Sequence, residues 1–216
     1  MVTISNIVQK KVGDNVFIQE SLYNQIISYA ALAKKLQPEI SEEMEKPIKR
    51  HTIEMALRRY ADELKQKHKQ ITFDYSSDII MKTQICDISV CRSPTLFDKL
   101  KKLYDIVNFE KGDLINIIQG SSEVSIVTNE RYLEKFLNML KNEKVLNVER
   151  NLISLTLTFS KDFLYTPGII FNIIRNIAWD NINIFEIVST STELTVIIHK
   201  QNAMKGYKAL EKLIQT

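Results

Sequence analysis

The spacing of apolar positions along the chain changes near residue 70. Before it the period is close to that of a helix; after it, stretches of strand-like alternation take turns with helical ones. Within residues 24–69, Ala30, Ala33 and Leu36, then Ile40 and Met44, recur at helical steps. Ser28 is placed to cap this helix and Pro38 to interrupt it. Lys46-Pro47 marks a turn. A second helix follows, with Ile53, Ala56, Leu57, Tyr60 and Leu64 on one face and Arg50, Glu54 and Arg58 on the other. Residues 3–17 are weakly patterned and fit either a helix or a short pair of strands.

Strand-like runs occupy 79–90, 114–119, 123–128, 145–148, 153–159, 182–188 and 193–199. In 153–159 the apolar Ile153, Leu155, Leu157 and Phe159 alternate with Ser154, Thr156 and Thr158, the pattern of a half-buried strand. Helical runs at 95–107, 130–142, 167–180 and 202–214 lie between them. The order β-α-β-β-α thus occurs twice, an internal repeat of roughly 70 residues with the ferredoxin-like arrangement. The expected fold class is α+β. It comprises an N-terminal helical domain over 1–70 and two ferredoxin-like units over 75–150 and 151–216, drawn as two small sandwiches packed on each other.

Composition supports a normal core: 44% of the 216 residues are hydrophobic and 25% charged. No apolar run reaches a membrane span and the first residues lack a signal-peptide core, so a cytoplasmic protein with no membrane partner is expected. The net charge of +3 is unevenly placed. Residues 1–70 hold 12 lysines and arginines against 9 acids, whereas the rest of the chain holds 17 of each. Cys86 and Cys91, five apart in a strand, would lie about 16 Å apart on opposite faces, too far to bridge. With His51, His68 and His199 scattered, no metal or other cofactor is expected.

The stretch "TPGIIFNIIRNIAWDNINIFEIVSTST" (residues 166–192) offers neither nucleophile nor acid–base pair. Its order of strand, Pro167-Gly168, helix, Asn183-Ile184, strand and Ser189-Thr190-Ser191 turn resembles the ACT domain, most closely the ACT domains of aspartokinases. The first unit resembles it too, through "DLINIIQGSSEVSIV" (residues 113–127), although Thr95 follows Pro94 where Gly168 follows Pro167. The resemblance implies an effector site for a small amino acid of the lysine, threonine or methionine class. Carried onto this sequence, it draws on Asp162, Thr166, Pro167, Gly168, Ile169, Asn183, Ile184 and Ser189, with Ser121 and Ser122 of the first unit completing it. A helix N-terminus suits a carboxylate, and Gly168 lets backbone come close to a ligand. On the residues alone, Pro167-Gly168 also fits a plain helix start and Asn183 a strand-entry cap. ACT units commonly associate edge to edge, so a homodimer is expected.

Aspartokinases also carry a catalytic domain, and phosphate cradles need glycine-rich loops. The five glycines here, at 13, 112, 120, 168 and 206, are far apart and no Walker-type lysine motif occurs, so no catalytic activity is expected. The N-terminal region instead resembles a winged helix-turn-helix, through Ala30-Ala31-Leu32-Ala33, Thr52-Ile53 and Ala56-Leu57-Arg58-Arg59. That resemblance implies contacts to duplex DNA from Lys49, Arg50, His51, Thr52, Arg58 and Arg59. The stretch between its helices, "QPEISEEMEKPI", is longer than the usual turn and acidic. Two readings follow: an amino-acid-responsive transcriptional regulator, and a non-catalytic regulatory subunit that docks on a biosynthetic enzyme. Salt-dependent DNA affinity separates them.

Overall fold

The computed structural model describes residues 3–67, 78–160 and 165–214. The chain forms two compact units, Met1–Ile71 and Thr72–Thr216.

The first unit consists of α1 (Ile4–Gly13), α2 (Val16–Tyr23), α3 (Tyr29–Glu43) and α4 (Arg50–Lys67). Residues 3–17, which left helix and strand open, are helical because Thr3 and Asn15 each cap a helix start: Thr3 Oγ1 accepts from the Asn6 amide and Asn15 Oδ1 from that of Ile18. Ser28 Oγ caps α3 as expected, accepting from the Ala31 amide. Pro38, expected to interrupt, lies inside α3. Pro38 and Lys34 are both exposed residues, so the proline lies on the solvent side of the helix, where the loss of one backbone donor costs least. The buried stripe of α3 is Leu32, Ala33, Leu36 and Ile40, and Ala30 is exposed. These residues close a core with Ile7, Val8 and Val12 of α1, Leu22 of α2, and Ile53, Leu57 and Leu64 of α4. The winged expectation is not met: among the described residues this unit has no strand, and a wing is a β-hairpin.

The second unit is one six-stranded sheet with helices on one face. Its elements are β1 (Ile79–Cys91), α5 (Leu96–Tyr104), β2 (Ile115–Gln119), β3 (Glu123–Asn129), α6 (Leu133–Met139), β4 (Val145–Thr158), α7 (Ile169–Trp179), β5 (Ile184–Ser189), β6 (Glu193–His199) and α8 (Ala203–Ile214). The strand order is β2-β3-β1-β4-β6-β5, and every pairing is antiparallel.

The expected second boundary, between 150 and 151, falls inside β4. The runs 145–148 and 153–159 are a single strand, so the repeats are not two separate sandwiches. Each long strand serves both repeats. The second half of β1 pairs with the first half of β4 (Asp87 with Glu149, Ser89 with Asn147), and the first half of β1 with the second half of β4 (Ile79 with Leu157, Met81 with Leu155). Two helix-covered cores result. One is built on Ile88, Val90, Leu96, Leu100, Ile126 and Phe136, the other on Leu155, Leu157, Ile169, Ile173, Val196 and Leu210. A smaller cluster of Ile85, Val127, Leu152 and Ile197 joins them on the helix-free face.

Candidate effector-binding site

The second repeat carries the residues on which the ACT resemblance rests. Gly168 occupies the N-cap of α7 with φ 86°, a left-handed conformation open to glycine, and as the cap residue it offers no side chain to the helix start. A Cβ at Gly168 would meet nothing within 4 Å, so the space beside the helix start is open. Pro167 and Gly168 are exposed and Thr166 is half-buried. Ile169, only 2% exposed, anchors the first turn in the core. Asp162 lies outside the described residues.

At the same repeat's β5–β6 turn, the Thr190 amide donates to the Glu193 carbonyl and the Phe159 amide to the Thr192 carbonyl, fastening the turn to the end of β4. The first repeat makes both bonds at corresponding places: Gly120 donates to Glu123 and Arg92 to Ser122. The internal repeat is therefore present in hydrogen bonding as well as in sequence.

The geometry separates the predicted residues into three places. Gly168 and Asn183 are divided by the 11 residues of α7, about 16 Å at 1.5 Å per residue. Asn183 and Ser189 stand at opposite ends of β5, six residues long, about 20 Å at the strand rise. The Ser121-Ser122 turn lies beside Arg92, where β4 begins, whereas the Ser189 turn lies where β4 ends. β4 has 14 residues and bends at the register shift around Asn151, so the two turns stand at different ends of one bent strand. Ser121 and Ser122 thus belong to the first repeat's turn, and Gly168 to the second repeat's helix start.

The first repeat reaches the Ser189 turn through other residues. A cavity of about 170 Å³ on the helix-free face is lined by Thr190 and Glu193 together with Leu114 and Asn116 of the first repeat and Lys82 of β1. Ser154 and Thr156 line it too, and Thr156 shares a hydrogen bond with Thr195. Strand alternation assigns these residues to the helix-free face, but only the curl of the finished sheet brings Asn116 to Thr190.

In the helical unit all six candidate DNA contacts, Lys49, Arg50, His51, Thr52, Arg58 and Arg59, are exposed. Three already have partners. Arg50 pairs with Glu54 at 3.3 Å, Arg58 lies over the Tyr29 ring at 4.8 Å, and Arg59 donates to Ser5 Oγ at 3.3 Å. The connection from α3 to α4 runs over residues 44–49, longer than a helix-turn-helix turn. Among the described residues no helix is long and apolar enough to cross a membrane.

No protein-family model and no curated protein matches the sequence. Solved structures do share its fold over about two thirds of its length. Over that part it is the fold of the ACT-type regulatory region of aspartate kinases. The regulatory subunit of aspartate kinase from Thermus thermophilus matches with a TM-score of 0.52 and 15% identity, over 65% of this chain and 97% of that one. A structure of aspartokinase alpha and beta subunits matches with a TM-score of 0.53 and 15% identity, over 64% of this chain and 97% of that one. The aspartate kinase of Clostridium acetobutylicum matches with a TM-score of 0.54 and 18% identity, over 66% of this chain but 36% of its own.

Proposed function

We propose that this chain is a non-catalytic regulatory protein that binds a small amino acid of the lysine, threonine or methionine class and passes the signal to a partner enzyme of amino-acid biosynthesis. The observation that carries this reading is the extent of the likeness. The matched two thirds of the chain span 97% of a solved aspartate kinase regulatory subunit and 36% of an aspartate kinase chain. The α7 start is the place for the effector's carboxylate, since its amides and dipole favour a negative group.

Gly168 and Asn183 are too far apart in one chain to hold one small ligand. A homodimer, joined through the edge strands β2 and β5, lets Asn183 of one copy face Gly168 of another. The test is mixing. Gly168→Val and Asn183→Ala variants each lose effector affinity in calorimetry, and a mixture of the two regains part of it because some mixed sites are intact. A mixture no better than either variant contradicts a shared site.

A second reading, transcriptional regulation through α4, is favoured by the exposed basic set Lys49, Arg50, Arg58 and Arg59. It requires duplex affinity that falls steeply with salt, each lost phosphate contact lowering the log–log slope by about 0.9. Absence of duplex binding at low salt leaves the helical unit as the surface that docks on the enzyme.

A further inference from the structure

The two repeats treat the loop before their first helix differently. In the second, the residue at the start of α7 is Gly168, which has no side chain to offer. In the first, the corresponding loop is filled by a carboxylate from the same chain. Glu143, on the connection between α6 and β4, accepts hydrogen bonds from Ser93 Oγ at 2.6 Å, from Thr95 Oγ1 at 2.9 Å and from Lys99 Nζ at 2.9 Å. The Glu143 side chain is 4% exposed.

The surroundings are built to hold it. Ser93 Oγ also accepts from the Leu96 amide, which fixes the hydroxyl against the first turn of α5. Lys99 Nζ also donates to the Lys141 carbonyl, which ties the ammonium to the loop bearing Glu143. The lysine and the two hydroxyls hold the Glu143 carboxyl down to about 2, so it is ionised at neutral pH. In the second repeat the residue that corresponds to Glu143 by count from Phe136 and Gly206 is Leu213, which lies inside α8 and packs on the core, whereas α6 ends at Met139. Gly168 stands where Thr95 stands, so a hydroxyl donor is also missing there.

We infer that the first repeat's Ser93–Thr95–Lys99 loop is a site for a small monocarboxylate that Glu143 of the same chain permanently occupies. The inference rests on the reading that the loop at Gly168 is where an effector's carboxylate binds. It adds that only one of the two repeats takes an effector, and that the first is held closed by an internal carboxylate. A free amino acid competing there would have to displace a group whose local concentration the chain itself sets, which a weak ligand cannot do.

Chemical rescue tests this without any knowledge of the effector. The full chain with Glu143→Ala is melted at neutral pH in sodium acetate and in sodium chloride of equal ionic strength, beside the wild type and Glu143→Gln. Acetate should raise the melting temperature of Glu143→Ala in a saturable way. It should leave the wild type unchanged, because its loop is full, and Glu143→Gln unchanged, because the amide still fills the space. If Glu143→Ala does not fold in chloride, the same comparison is made on the yield of refolded protein, which acetate should increase. An acetate effect that is absent from Glu143→Ala, or equal in all three proteins, overturns the inference. A wild type that binds no amino acid at all overturns the proposed effector role instead and leaves the acetate result standing.

Discussion

Gln84 on β1 and Asn151 on β4 adopt the same left-handed backbone, φ 58° at each, at matching points of the two long strands. Both sit where the β1–β4 register shifts, between Lys82 and Ile85 on one strand and between Leu152 and Glu149 on the other. Each is the extra residue of a β-bulge, and a bulge bends its strand and sharpens its twist. The pair marks the point where both strands leave one repeat and enter the other. That bend lets one sheet carry two helix-covered cores.

This relationship gives a stability prediction. A left-handed glutamine costs more than a left-handed glycine, and glycine in turn loses more chain entropy on folding. Gln84→Gly should stabilise the fold by roughly 0.5–1 kcal/mol net, and Gln84→Val should destabilise it. Urea unfolding of the full chain checks both. Equal midpoints for the two variants would mean the bulge conformation is not enforced.

Glu143 gives a pH dependence with a definite sign. Its folded carboxyl, held at about 2, lies below its ordinary value of 4.5. A depressed acid contributes stability above its unfolded value, and that contribution is lost as pH falls through the folded one. The melting-temperature gap between the wild type and Glu143→Gln should therefore be constant from pH 7 to about 5 and close between about 4.5 and 2. A gap independent of pH across that window would show that the ion pair with Lys99 contributes nothing.

Gly206 sets how closely α8 lies on the sheet. A Cβ there would come 2.6 Å from Ile198 Cδ1 and 3.1 Å from Leu155 Cδ1. In the first repeat the corresponding position on α6 is Phe136, fully buried. Gly206→Leu should overpack the second core and cost about 1–3 kcal/mol, read as a lower melting temperature. A neutral substitution would mean that α8 can move away from the sheet freely.

How much of this was legible in the sequence follows from which interactions are local. Helix and strand periods placed α3 through α8 and most strands, because burial of one face imposes them. The caps at Thr3 and Asn15 were missed because a lone Thr or Asn reads equally as a turn. Pro38 misled because its cost depends on whether the unpaired carbonyl meets solvent, which no local pattern states. Joining 145–148 to 153–159 needed the Asn151 bulge, since a left-handed asparagine between strands looks like a turn.

The candidate site was legible as a motif but not as a place. "TPG" and "STS" follow the same end of β4 and "NIN" marks the other end of the repeat, and only the lengths of α7 and β5 reveal that Asn183 cannot meet the other two around one ligand. Leu114 and Asn116 reach the Thr190 turn through the curl of the sheet, and Glu143 fills the first loop from the far end of its repeat. Those are contacts between residues distant in sequence, and one sequence carries no sign of them.

The most direct measurement is isothermal titration calorimetry of the full wild-type chain against lysine, threonine and methionine. The account predicts that at least one binds, with one site per chain, and that Gly168→Val removes the heat. Heat from none of the three, or two equivalent sites per chain, would contradict it.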